Sequence, residues 1–416
     1  MQTQLADWIR ATPEGLEADA ILRKCVHCGF CLATCPTYTL LGDELDSPRG
    51  RIYLMKQMLE GAPVTERTQV HLDRCLTCRS CETTCPSGVE YGRLVDIGRD
   101  LVERKVPRST GERMRRWLLA RTLPSRWLFG LALGLGRTFR GLLPEALAKK
   151  IPDARPEGEW PAARHPRRML VLAGCVQPSM APSINAATAR VLDRLGISLV
   201  EARGSTCCGA VTFHLNYQDD SLAYVKANID AWWPHVEQGA EAIVITASGC
   251  GTMVADYGHL LEDDPAYAAK AKRISELARD VSQVVASERT ALAAAVEAKP
   301  EEKIAFHSPC SLQHGLKVRG VVEPILADAG FRLAHVHDAH MCCGSAGTYS
   351  ILQPELSKQL LKSKVRNLEG GKPARIATAN IGCLAHIQSG TATPVRHWIE
   401  LLEERLGSDP NSGART

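Results

Sequence analysis

The chain of 416 residues has little net charge: 50 Lys and Arg face 46 Asp and Glu. That balance excludes a nucleic-acid footprint spread over the whole molecule. It has no apolar run long enough to span a bilayer, which takes about 20 residues; its longest, WLFGLALGLG (Trp127–Gly136), ends at Arg137. Its opening residues, MQTQLADWIR, carry neither a basic leader nor an apolar stretch, so secretion is not expected. Also missing are a GxGxxG turn after a strand, a Walker A lysine motif and a GxSxG elbow, so the chain is not expected to bind a flavin or nicotinamide itself. The glycines of Leu131–Gly136 follow no strand pattern. What remains is a globular, cytoplasmic protein of two or three domains, 45% hydrophobic and 23% charged.

What the sequence does have is 16 cysteines. In a reducing compartment, clustered cysteines are metal ligands or redox groups before they are disulfides. They fall into two blocks. The first holds two runs of the form C-x2-C-x2-C-x3-C-P: Cys25, Cys28, Cys31 and Cys35 before Pro36, then Cys75, Cys78, Cys81 and Cys85 before Pro86. In two-cluster ferredoxins the fourth cysteine of each run ligates the other cluster. This assigns one [4Fe-4S] cluster to Cys25, Cys28, Cys31 and Cys85, and a second to Cys75, Cys78, Cys81 and Cys35. A pair of zinc sites is the alternative, but zinc motifs do not normally place three cysteines at this spacing before x3-C-P. His27, between two ligands, either tunes a cluster through a hydrogen bond to sulfur or is an ordinary loop histidine.

The second block is an internal repeat. Cys175 precedes Cys207-Cys208-Gly209 and Cys250; Cys310 precedes Cys342-Cys343-Gly344 and Cys383. The runs MLVLAGC, AIVITASGC, KIAFHSPC and RIATANIGC read as buried strands ending at a cysteine, with helices at NAATARVLDRLG and VVEPILADAG. Alternating strands and helices predict α/β units, with ligands at the carboxyl ends of the strands. Cys175, Cys207, Cys208 and Cys250, and likewise Cys310, Cys342, Cys343 and Cys383, are therefore candidate ligands of further centres. A thiol pair is the other redox reading, and small buried structural residues are the alternative; the four-cysteine set occurring twice at nearly matched spacing favours a metal or redox role in at least one repeat. Nearby histidines (His214, His307, His314, His340, His386) are expected in core or surface roles.

The predicted architecture is α+β and multidomain. Residues 1–105 form a mostly helical, ferredoxin-like domain with two clusters; 106–167 form a basic helical segment and linker; 168–300 and 301–416 are the two Cys-Cys-Gly repeats. Residues 101–168 hold 16 basic and 6 acidic residues. The stretch Arg113–Arg121, followed by Trp127–Leu143, suits an anionic membrane surface, a partner subunit, or a solvated helix.

These motifs resemble a family that includes the iron–sulfur subunits of glycolate oxidase and anaerobic glycerol-3-phosphate dehydrogenase, lactate-utilisation proteins and heterodisulfide reductase subunits. Within it, CVHCGFCLATCPTYTLLGDELDSPRGRIYLMKQ, HLDRCLTCRSCETTCPSGVEYGRLVDIGRD, NIDAWWP, ASGCG, MCCGSAGTY and TANIGC are similar to the bacterial glycolate oxidase branch nearly end to end. The resemblance implies an electron-transfer subunit of a complex peripheral to the cytoplasmic face of the inner membrane. Glycolate would be oxidised to glyoxylate on an FAD-binding subunit, beside a second flavoprotein-like subunit, and electrons would pass toward a quinone-linked acceptor. A sister role in glycerol-3-phosphate or lactate oxidation, or thiol or heterodisulfide reduction at the Cys-Cys-Gly site, stays open. The closing C-x2-C of heterodisulfide reductases is absent: Cys250 precedes Gly251-Thr252-Met253, and Cys383 precedes Leu384-Ala385-His386.

Overall fold

The structure is a computed structural model describing residues 1–142 and 151–407; residues 143–150 of the basic segment and 408–416 of the second repeat lie outside the described residues. The chain forms two compact units. One comprises Met1–Leu118 with His214–Asn216 and His340–Lys364; the other holds Leu119–Phe213, Tyr217–Ala339 and the chain from Val365 onward. The architecture is α+β, with helices in the first unit and two parallel sheets in the second.

Helices Pro13–Lys24, Pro48–Leu59, Glu66–Asp73 and Tyr91–Lys105 frame the first unit. Two of them start with the same local grammar. Thr12 and Ser47 cap the helices, each followed by a proline at the first helical position, and their hydroxyls accept from Gly15 N (3.1 Å) and Gly50 N (3.0 Å). These caps satisfy amides that a helix start leaves unpaired. Gly50 is required for a second reason: a Cβ there would stand 1.9 Å from the Glu44 carbonyl oxygen. Apolar residues at helical spacing, among them Ile21, Leu22, Met55, Leu59, Leu72, Leu94 and Val95, close into one buried core.

In the second unit the strands are β1 (Arg167–Val171), β2 (Ile197–Glu201), β3 (Ile243–Ile245), β4 (Ala278–Asp280), β5 (Glu302–His307), β6 (Phe331–Leu333), β7 (Arg375–Thr378) and β8 (Val395–His397). They pair in the orders β2-β1-β3-β4 and β6-β5-β7-β8, every pair parallel. The central strands are the apolar runs expected from the sequence. One expectation is corrected: Cys250 and Cys383 lie in the first turns of helices Ser248–Ala255 and Ile381–Gln388, not at strand ends. The strands stop earlier, and the chain has already turned into the next helix.

The two repeats are joined by polar contacts as well as by packing. Arg190 is paired with Glu403, Ser183 Oγ donates to Glu400 at 2.6 Å, and Ser248 and Ser311 hydroxyls lie 2.7 Å apart. His397, fully buried, donates from Nε2 to the Thr246 carbonyl (2.9 Å) and accepts at Nδ1 from Ile399 N (3.3 Å). Both ring nitrogens are therefore used by the neutral tautomer. Burial is the main reason its pKa falls to about 4, against the opposing pull of Glu400. Between that value and the ordinary 6.5 the unfolded chain binds a proton the folded chain does not, so stability falls as pH falls through this window. The expected loss from His397 between pH 6.5 and 5 is about 1.5 kcal/mol. His397→Gln should flatten that part of the pH–stability curve in denaturant unfolding; equal slopes in the two proteins would rule His397 out as its cause.

Candidate functional site: two cysteine-lined cavities and a buried thiol chain

The two C-x2-C-x2-C loops of the first unit share an unusual backbone. His27 (φ 55°) and Gly29 (φ 86°) in the first correspond to Thr77 (φ 51°) and Arg79 (φ 59°) in the second. Left-handed residues at alternate positions turn successive amides inward, and such nests favour negative charge. The Thr77 amide accordingly donates to Cys75 Sγ at 3.4 Å, and the His27 amide donates to the Cys25 sulfur. The bond to sulfur at His27 thus comes from its backbone; its ring Nε2 lies 2.6 Å from Met1 Sδ.

The eight cysteines gather around two cavities. Cys25, Cys28, Cys31, Cys81 and Cys85 line one; Cys35, Cys75, Cys78 and Cys81 line the other, so Cys81 faces both. Each cavity therefore draws cysteines from both loops, with three of the first loop at one and three of the second at the other. The two cavities differ in access. In the first, Cys28 is exposed, flanked by Val26 and Phe30 at 67% and 63% exposure, Cys31 and Cys85 are half-buried and Cys25 is buried; in the second, Cys35, Cys75 and Cys81 are buried and Cys78 is half-buried. Burial pushes the Cys31 thiol up to about 11, and that of Cys81 well above its usual range. Such thiols give up their protons only to a cation, as metal binding requires. Sulfurs from both loops facing a small cavity fit a cubane cluster, which takes four thiolates.

The inner cavity is backed by polar groups. Tyr91 donates its hydroxyl toward Cys75 Sγ (3.6 Å), and Tyr349 donates to the Arg74 carbonyl at 3.1 Å. Burial, then Cys75, pushes the Tyr349 hydroxyl well up, with Cys342 acting in the same sense.

In the second unit the first Cys-Cys-Gly set comes together completely. Cys175 is hydrogen-bonded to Cys207, Cys207 to Cys208, and Cys208 to Cys250, so four sulfurs form a chain in the core. The bond from Cys207 and burial push the Cys175 thiol far up. Beneath it Asn228 donates to the Cys207 carbonyl (2.7 Å) and Tyr257 to the Cys208 carbonyl (2.9 Å). Gly209 has φ 92°, its amide 3.4 Å from Cys207 Sγ, and a Cβ there would lie 2.9 Å from Ser221 Oγ. Gly344 repeats this in the first unit: φ 92°, its amide 3.4 Å from Cys342 Sγ, a Cβ 2.7 Å from the Ser357 carbonyl oxygen. Cys342 and Cys343 belong to the first unit; Cys310, capping the helix Ser311–Gly315, and Cys383, 3.6 Å from Asn380 Nδ2, belong to the second.

Two groups were not singled out by sequence reasoning. One is the Asn228–Tyr257 pair just described. The other is a charged network of Asp46, Arg51, His71 and Arg74 behind the inner cavity. The signal available was weak: an arginine inside a helix that reads as amphipathic, in SPRGR.

The helix Arg126–Thr138, with no buried residue, turns Trp127, Leu131 and Leu135 outward. Among the described residues, no helix is long and apolar enough to cross a membrane.

Comparison with known proteins agrees with this division. Residues 21–89 match a 4Fe-4S dicluster domain, and residues 169–255 and 304–388 each match a Cysteine-rich domain. The chain is 54% identical over 410 residues to the glycolate oxidase iron-sulfur subunit of Escherichia coli (strain K12), covering 98% of this chain and 99% of the relative. It is 31% identical to the probable glycolate oxidase iron-sulfur subunit of Bacillus subtilis (strain 168), over 93% and 94%. Lactate utilization protein A of the same organism is 27% identical over 237 residues, 56% of this chain and 97% of the relative. On these identities and coverages, which run over nearly the full length of both glycolate oxidase relatives, the chain belongs to the family of glycolate oxidase iron–sulfur subunits.

Proposed function

We propose that this chain is the electron-carrying subunit of a glycolate-oxidising complex. One [4Fe-4S] cluster is held by Cys25, Cys28, Cys31 and Cys85, the other by Cys75, Cys78, Cys81 and Cys35. The observation that carries the reading is the gathering of eight cysteines around two adjoining cavities, the inner one lined by the more deeply buried sulfurs. The clusters supply one-electron carriage, which links two-electron oxidation of glycolate to glyoxylate on an FAD-binding partner with a quinone-linked acceptor. A second flavoprotein-like subunit completes the complex. The chain's own residues hold the thiolates, donate backbone amides to them and keep water from the inner cavity.

The four linked sulfurs Cys175, Cys207, Cys208 and Cys250 favour a further metal centre in the first repeat. Cys175, Cys207 and Cys208 are buried and Cys250 is half-buried; the thiols of the first three, pushed up in pKa, call for a cation. Asn228 and Tyr257 hold the backbone of the pair. We further propose that the helix Arg126–Thr138 rests on an anionic membrane surface on the cytoplasmic side. Its apolar residues are exposed, and the surrounding segment 101–168 carries the basic excess.

Three outcomes test this. In anaerobically prepared protein, Cys28→Ser and Cys78→Ser should each remove about four irons and abolish different EPR signals. In the complex both should stop glycolate-dependent quinone reduction while leaving flavin reduction by glycolate intact; retention of iron and of electron delivery would sink the assignment. Cys208→Ser should lower the metal content without altering the two N-terminal EPR signals, and unchanged metal would make this set purely structural. Leu131→Glu with Leu135→Glu should weaken sedimentation with phosphatidylglycerol vesicles at least tenfold; undiminished binding would place the membrane contact elsewhere.

A further inference from the structure

Asp46 is completely buried at the end of a short turn, and three side chains converge on it. Arg51 Nη2 and His71 Nδ1 each lie 3.1 Å from Oδ1, and Arg74 Nη1 lies 2.8 Å from Oδ2. Arg51, 1% exposed, also donates to the His71 carbonyl (Nε, 2.7 Å) and to Thr37 Oγ1 (Nη1, 3.1 Å). The Thr37 hydroxyl stands 3.3 Å from Cys35 Sγ. Arg51 thus lines the same cavity as Cys35, Cys75, Cys78 and Cys81.

Local sequence builds this arrangement. The Ser47 cap and Pro48 start the helix, Gly50 lets it pass against the Glu44 backbone, and Arg51 falls on the face turned to the core. Two guanidiniums against one carboxylate leave positive charge in excess. Among the described residues lining the other cavity, the guanidinium is that of Arg49, which is partly exposed and paired with Glu44 at 2.5 Å. A charge in water is screened, whereas a buried one acts at low effective dielectric.

We propose that Arg51, anchored by Asp46, raises the reduction potential of the inner cluster above that of its neighbour and makes it the electron sink of the pair. Reduction adds one negative charge to a centre already negative from its thiolates, so a buried cation favours the reduced state. One electron leaves the surface cluster as one enters the inner cluster, and the fixed charge sets the direction. The inference rests on the cluster assignment proposed above.

The test is an EPR-monitored potentiometric titration of the full chain with its iron counted. Arg51→Gln should shift one of the two N-terminal midpoints about tenfold toward the oxidised state, about 59 mV downward for one electron. Asp46→Asn should move the same midpoint upward, because it removes the opposing charge, and Arg51→Lys should stay near wild type. A merely structural role would move the Gln and Asn variants in the same direction. That result, or unmoved midpoints with iron retained, overturns the role of Arg51 and leaves the clusters in place. If Arg51→Gln loses iron, Asp46→Asn decides alone: an upward shift supports the proposal, and none or a downward one overturns it. Wild-type protein without iron at the N-terminal cysteines would overturn the cluster assignment itself.

Discussion

A thiol taken out of water keeps its proton unless a cation replaces it, and the rest of this structure is organised around that constraint. All 16 cysteines are free, and most are buried or half-buried. Left alone, such a concentration of weak hydrogen-bonding groups would be a poor core. It becomes tolerable because each group of sulfurs is met by donors that favour negative charge: nest amides at Cys25 and Cys75, the Gly209 and Gly344 amides at the Cys-Cys pairs, and guanidiniums behind the inner cavity. Helices, caps and close-packed glycines hold those donors in place.

Glycine at the two Cys-Cys-Gly turns illustrates how tightly this is done. The turn needs a left-handed backbone, and the glycine carbonyl accepts from a serine of the following helix, Ser221 in one repeat and Ser357 in the other. An added methyl group would fail on both grounds, strain and space. The repeats then diverge. Where Asn228 follows Ser221 and holds the Cys207 carbonyl, the matching position after Ser357 is Lys364, itself buried. The same fold therefore places a neutral amide behind one cysteine pair and a lysine at the equivalent point of the other.

What the sequence made legible follows from the range of each signal. The ligand loops are short-range patterns, so their eight cysteines could be picked out from spacing alone, and all eight line the two cavities. Among strands, the readable ones were β1, β3, β5 and β7, which occupy the two central positions of each sheet and are apolar for that reason. The edge strands β2, β4, β6 and β8 escaped, being short or partly polar: ARD, FRL and VRH have three residues each. Arg51 escaped because a charged residue in an amphipathic helix is ordinarily solvated. Only the packing of Asp46, His71 and Thr37 around it, assembled from three separate segments, reveals otherwise.

The first unit includes His340–Lys364, more than two hundred residues beyond Leu118. A ribosome adding about 5–20 residues per second needs on the order of ten to forty seconds to cover that distance. Through that interval the amino-terminal cysteines are already outside the ribosome while Tyr349, which caps the Arg74 carbonyl next to Cys75, has yet to be made. Completion of this unit is therefore a late event in the life of the nascent chain, and its thiols depend on the cell's reducing power for all of that time.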